Sequence, residues 1–114
     1  MYTNNDLEVF TRARDKIAAG WIRGKRHARS DGYDATFRTS THVCAIGAFE
    51  FALDGILNTQ TPILKYMELM DFKNWVELAD YSNFHGQGAI VAKFDAGIKR
   101  MKELMKENKS LTSE

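Results

Sequence analysis

The sequence predicts an all-α fold: a compact bundle of four or five helices with one long irregular loop, which leaves room for a short strand. Three patterns lead there. Apolar residues recur at steps of three and four near both ends of the chain, a middle stretch is apolar on nearly every side, and over residues 20–41 the helical period vanishes. A chain of 114 residues with 44% hydrophobic side chains fits one packed domain. That domain is expected over 1–107, with 108–114 as a frayed tail that lacks apolar anchors.

The first helix is expected over 6–19. Asn5 followed by Glu8 has capping-box spacing, and Leu7, Phe10, Ala13, Ile17 and Trp21 fall on one face, with Glu8, Arg12, Asp15 and Lys16 toward water. Gly20 or Gly24 can end it. The loop that follows gathers Gly, Ser, Asp and Thr, with one extended piece expected over 33–37. Irregular connections of this length in small domains commonly carry function.

The second helix should start after Ser40 or Thr41, either of which can cap it, and run from Val43 to Leu53. It is apolar all round, which places it centrally, and Gly47, Ala48 and Ala52 offer small surfaces where another helix can approach closely. Asp54 and Gly55 read as its stop. Thr61 before Pro62 opens a third helix with Ile63, Tyr66, Met67 and Met70 as its stripe. Helix continues or resumes past a break near Asp71, although a strand over 75–78 is the minor alternative. Residues 81–88 are polar and glycine-rich and read as a turn. The last helix is expected over 89–107, burying Ile90, Phe94, Ile98, Met101 and Met105, with Gly97 inside it where a neighbour closes in.

Charge and cysteine content narrow the setting. Sixteen basic and fifteen acidic residues leave a net charge of +1, so no global field draws the chain to nucleic acid or an anionic membrane. No apolar run reaches the ~20 residues of a membrane span. Cys44 stands alone, which excludes an internal disulfide and fits a reducing compartment. The polar start of the chain does not read as a signal peptide, and a cytoplasmic location is expected. A homo-oligomer is compatible with these properties.

Gly20-Trp21, Val43-Cys44-Ala45-Ile46-Gly47-Ala48, Asn83 and the Ile90, Phe94, Ala96, Ile98 helix stand in an order that resembles a family of small uncharacterised bacterial and phage proteins. Those proteins carry Gly-Trp, then Cys-Ala-hydrophobic-Gly-Ala, then Trp-Asn-Asp before a final helix. The resemblance spans 9–105 and rests on Trp21, Cys44, Gly47, Ala48 and Asn83. It departs where Tyr81 and Ser82 replace the tryptophan and Phe84 replaces the acid. It implies a helical fold and a bacterial or phage-infected cell, and no reaction chemistry.

Several residue groups carry candidate chemistry. Arg23, Lys25, Arg26, His27 and Arg29 form a basic run with Trp21 at its edge and Tyr33, Phe37 and Arg38 beyond, a composition that can meet phosphates and bases or an acidic protein surface. The competing reading is a solvated loop balanced by acids elsewhere. Asn83, His85, Gly86, Gln87 and Gly88 suit a polar pocket at a helix start, or simply a capped turn. Cys44 near a helix start, with His85 as base and Asn83 or Asp80 orienting it, reproduces cysteine-nucleophile logic; the competing reading is a buried core thiol. His27, His42, Cys44 and His85 lack metal-ligand spacing, so neither metal nor cofactor is expected. Trp21, Trp75, Phe49, Phe51 and Phe94 read as core volume. The favoured function is non-enzymatic binding of a macromolecule, a protein first, as in an accessory or inhibitor protein. The alternatives are a cysteine-dependent hydrolase or transferase and a nucleic-acid binder.

Overall fold

The structure is a computed structural model that describes residues 2–36, 38–53 and 63–112. The expectations placed on Phe37, on the stop at Asp54 and Gly55, on the Thr61-Pro62 start and on the Ile63 and Trp75 side chains fall outside what it describes. Among the described residues, four helices and one two-stranded sheet follow in the order α1 (Asn4–Ala19), β1 (His27–Ala28), β2 (His42–Val43), α2 (Ala45–Ala52), α3 (Ile63–Leu69) and α4 (Trp75–Thr112).

α1 starts at Asn4, two residues before the expected start at Asp6. Thr3, not Asn5, is the cap: its hydroxyl accepts from the Asp6 amide at 3.1 Å, and the Asp6 carboxylate accepts from the Thr3 amide at 2.9 Å. Thr3 and Asp6 repeat the spacing of Asn5 and Glu8, so the pattern was right and its register was not. Asp6 wins because its other oxygen is met by the buried Tyr66 hydroxyl at 2.7 Å, a partner that Glu8 on the exposed face does not have. Val9, Phe10, Ala13 and Ile17 are buried along one stripe, as the period requires.

Gly20 ends α1 in an extended conformation, φ −169° and ψ 123°. Glycine is needed here for space: a β-carbon would come 2.0 Å from the Thr41 carbonyl oxygen. That contact returns the far end of the loop to the end of α1, where Ile22 and Val43 exchange bonds with Val43 and Gly20 at 3.1 and 3.0 Å. β1 and β2 then pair antiparallel, His27 with Val43 and Ala28 with His42. Among the described residues the strands therefore lie at 27–28 and 42–43, and within 33–36 only Asp34 joins, through an isolated bridge to Ala28. Because Val43 belongs to this sheet, α2 begins at Ala45 with Cys44 as its cap, and neither Ser40 nor Thr41 caps it.

α3 stops at a left-handed Asp71, φ 64°. The Phe72 amide reaches the Met67 carbonyl at 2.9 Å and the Asp71 amide reaches Glu68 at 3.0 Å, which satisfies the last carbonyls of the helix. Asn74 caps α4 by accepting from the Glu77 amide at 3.0 Å, so helix resumes after the predicted break and the strand alternative over 75–78 is excluded. The largest correction concerns residues 81–88. They are helical apart from Gly86, φ 85° and ψ −177°, so the expected turn is a single-residue kink inside one long element. α4 also continues to Thr112, past the expected end at 107 and into the predicted tail, since no glycine or proline interrupts 98–112.

Each helix sends one aromatic ring to the centre: Phe10, Phe49, Tyr66 and Phe94, all at 0% exposure. Phe10 and Tyr66 stack at 5.2 Å, and Phe49 lies 5.2 Å from Phe94. Such ring pairs add about 0.5–1.5 kcal/mol to what burial alone supplies. Ile90, Ile98 and Met101 extend this core along α4, and Gly97 lets the Phe10 ring come close. Among the described residues no helix is long and apolar enough to cross a membrane.

Candidate functional site

The long loop is ordered by side chains far away in sequence. The Trp21 indole N–H donates to the Ser82 hydroxyl at 3.2 Å, and the Gly24 amide donates to the Asn83 carboxamide oxygen at 3.0 Å. Gln87 donates to the carbonyls of Ile17 and Ala18 at 3.0 and 3.2 Å, capping the end of α1. The polar residues read as a turn are thus helix-borne anchors. Ser82, Asn83 and Gln87 spend their groups on the loop and on α1, which they clamp to α4.

A second clamp lies on the other side of the loop. His27 Nε2 meets the Glu50 carboxylate, and Nδ1 lies 3.1 Å from the Ser40 hydroxyl. An ionised carboxylate only accepts, so the Nε2 hydrogen points to Glu50, and Nδ1 and the Ser40 hydroxyl share the second bond. Serine, imidazole and carboxylate in this order have the connectivity of a nucleophile, base and orienting acid. Ser40 and His27 are only 4% and 8% exposed, however, and no substrate reaches a hydroxyl enclosed in that way. The trio instead ties β1 and the loop to α2. Its signal in the sequence was Glu50, the one charge in an otherwise apolar helix, which needed a partner.

The basic run spreads over the outside of the clamped loop. Lys25 pairs with Asp34 at 3.1 Å and donates to the Gly32 carbonyl at 2.8 Å. Arg29 pairs with Asp31 and lies over the Tyr33 ring at 5.5 Å, while Arg26 stands 4.0 Å from Glu50. Arg23 lies over the Trp21 ring at 5.8 Å. Arg38 is exposed, and Tyr33 is 69% exposed. The Asp31 carboxyl is held below its ordinary range by the Arg29 guanidinium. Lys25, Arg26 and Arg29 of this run thus each have a carboxylate nearby.

Cys44 is buried at the start of α2. His85 is exposed and stacks on Tyr81 at 4.3 Å, while Asn83 is turned to Gly24. The Asn83 carboxamide oxygen is thus taken up by the loop and does not orient an imidazole at His85. Among the described residues no three His, Cys, Asp or Glu side chains converge as metal ligands.

The concave feature nearest to these residues was not anticipated. Phe72, Tyr81, Phe84, His85 and Lys93 line a groove of ≈380 Å³ together with Asp71, Glu77 and Asp80. A neighbouring groove of ≈640 Å³ shares Asp71 and Phe72 and carries Leu64 on its wall. Phe84 is 78% exposed and Leu64 60%, unusual for large apolar side chains on regular helices. The signal in the sequence is an aromatic ring, Phe84, within the polar run 82–88. No family model, no curated protein and no solved structure matches this chain.

Proposed function

We propose that this protein is a small non-enzymatic binding module that docks a protein partner on the surface where the loop meets the first half of α4. An accessory or inhibitor role suits that reading, in the bacterial or phage-infected cell that the motif resemblance implies. The observation that carries it is the bond from the Gly24 amide to Asn83. It joins the two segments that escape the apolar helical period into one surface, with Arg23, Lys25 and Arg26 exposed on the loop side and Phe84 and His85 exposed on the helix side. A rigid surface that combines arginine with an exposed aromatic has the composition of protein interface anchors.

Protein is favoured over nucleic acid because the cations are interleaved with carboxylates. Lys25–Asp34, Arg26–Glu50 and Arg29–Asp31 pairs lower the field that phosphate binding depends on. Affinity capture of the tagged chain from its native cells, followed by mass spectrometry, tests the reading. A defined partner retained by the natural sequence and lost from the Arg23→Glu, Arg26→Glu double variant is the expected result. Retention on a nucleic-acid column with a steep salt dependence, and no protein partner, would overturn it.

A further inference from the structure

Gly86 bends α4, and one contact measures the bend. Twelve positions of straight helix rise about 18 Å, too far for a lysine side chain to span. Yet the Lys93 ammonium lies 5.3 Å from the Tyr81 ring centre and 5.6 Å from that of Phe72. The two halves of α4 therefore form an elbow, and the ≈380 Å³ groove lies in its crook. Phe72, 7% exposed, and the half-buried Tyr81 form its floor with ring centres 5.4 Å apart. Phe84, 78% exposed, stands at the rim.

The lining is acidic around this aromatic floor. Asp71, Glu77 and Asp80 line it with one ammonium, Lys93, so three carboxylates stand against one lining lysine. Asp71 is 3.9 Å from Arg100, and Glu77 accepts from the Lys73 amide at 3.1 Å. Asp80 meets no cation among the described residues. The rings already hold a cation of the chain's own, and a guanidinium, flat and weakly hydrated, stacks on them better than an ammonium does.

We infer that the elbow groove docks a basic segment of a protein partner, with an arginine side chain over Tyr81 and Phe72 beside Asp80 and a neighbouring apolar side chain against Phe84. This deepens the protein-binding reading and rests on it. Lys93 competes for the same rings and repels the same charge, so it acts as a plug whose removal strengthens docking. A merely structural groove has no such property.

The test is an amide chemical-shift titration of the full chain with the tripeptide acetyl-Leu-Arg-Leu-amide, and with acetyl-Leu-Glu-Leu-amide as its acidic counterpart. The basic peptide is expected to move signals of residues 80–85 and 93 saturably, and the acidic one to leave them still. Phe84→Ala and Asp80→Asn should each weaken the basic peptide about two- to fivefold, and Lys93→Ala should strengthen it by a similar factor. All three positions are solvent-accessible, so the variants fold. Signals unmoved up to ~10 mM peptide, equal response to the acidic peptide, or weakening by Lys93→Ala would each overturn the inference. So would a concentration-dependent dimer in sedimentation that Phe84→Ala abolishes, since the face would then belong to a second copy. A cellular partner lost with Arg23→Glu, Arg26→Glu while the peptide fails at the elbow would remove the groove and keep the binding reading.

Discussion

The carbonyl of Arg26 occupies the place where a side chain at residue 47 would begin. A β-carbon built on Gly47 would come 1.8 Å from the Arg26 oxygen and 2.6 Å from its carbonyl carbon. Backbone rather than a flexible side chain is the obstacle, so the loop can cross α2 only over a bare α-carbon. Gly47, Ala48 and Ala52 were expected to admit another helix; at Gly47 the neighbour is the loop.

Gly47→Ala should therefore displace the loop and cost about 3 kcal/mol, near the upper range for single substitutions. Thermal unfolding should show a fall in Tm of roughly 12 °C or more. Gly88→Ala is the control, because nothing lies within 4 Å of its added carbon and the residue is helical. That variant should gain about 0.5–1 kcal/mol. Equal stability of the two variants would contradict the crossing.

His27 should matter to stability rather than to turnover. His27→Ala removes the imidazole that joins Glu50 to Ser40, leaving a half-buried carboxylate with Arg26 at 4.0 Å. Stranding such groups costs about 2–4 kcal/mol. Glu50→Gln, which keeps an acceptor for the imidazole N–H, should cost less. Urea midpoints at constant m-value would read both effects, and a stable His27→Ala protein would show that the clamp contributes nothing.

Why the helices could be read in advance and the site could not follows from the range of the contacts. Phe10, Ala13 and Ile17, like Ile90, Phe94, Ile98 and Met101, announce their burial through neighbours three or four positions away. The loop has no such local signature. Its order comes from Trp21–Ser82, Gly24–Asn83 and His27–Glu50, pairs 61, 59 and 23 residues apart, which no window along the chain contains. Local propensity was also misleading at 81–88. Ser82, Asn83, Gly86 and Gly88 favour turns, but here tertiary bonds from the loop and α1 hold them helical, and only Gly86 leaves the helix.

Cys44 gives a direct check on the cysteine-enzyme alternative. Its side chain is enclosed at 6% exposure, and Asn83 is drawn away to Gly24. A disulfide reagent should leave the native thiol unmodified and react fully once denaturant is added. Rapid stoichiometric reaction of the folded protein would reopen that alternative.

Asp6 and Tyr66 set opposite limits on the pH range of the fold. Burial by itself would push the Asp6 carboxyl up, but the Tyr66 hydroxyl, the Thr3 amide and Lys65 at 3.8 Å together hold it below its ordinary value. A depressed carboxyl stabilises the fold above its unfolded pKa of about 3.9 and loses that contribution as pH falls through the folded value. The Tyr66 phenol moves the other way, raised by burial and by its bond to Asp6. Its contribution is complete below the unfolded value of about 10 and is lost at higher pH as the unfolded chain ionises first. Stability should thus show no slope from this pair between about pH 5 and 9, with an acid limb below and an alkaline limb above. Asp6→Ala removes the cap and the phenol's acceptor and should cost about 1–3 kcal/mol near neutral pH. The gap between natural and Asp6→Ala chains should shrink as pH drops below about 4. Tyr66→Phe should reduce the alkaline limb, to which the raised Tyr2 phenol also contributes, while keeping the ring stacked on Phe10. Unfolding free energies across pH would decide it, and a gap that stays constant through the acid limb would mean that Asp6 is not the group whose protonation weakens the fold.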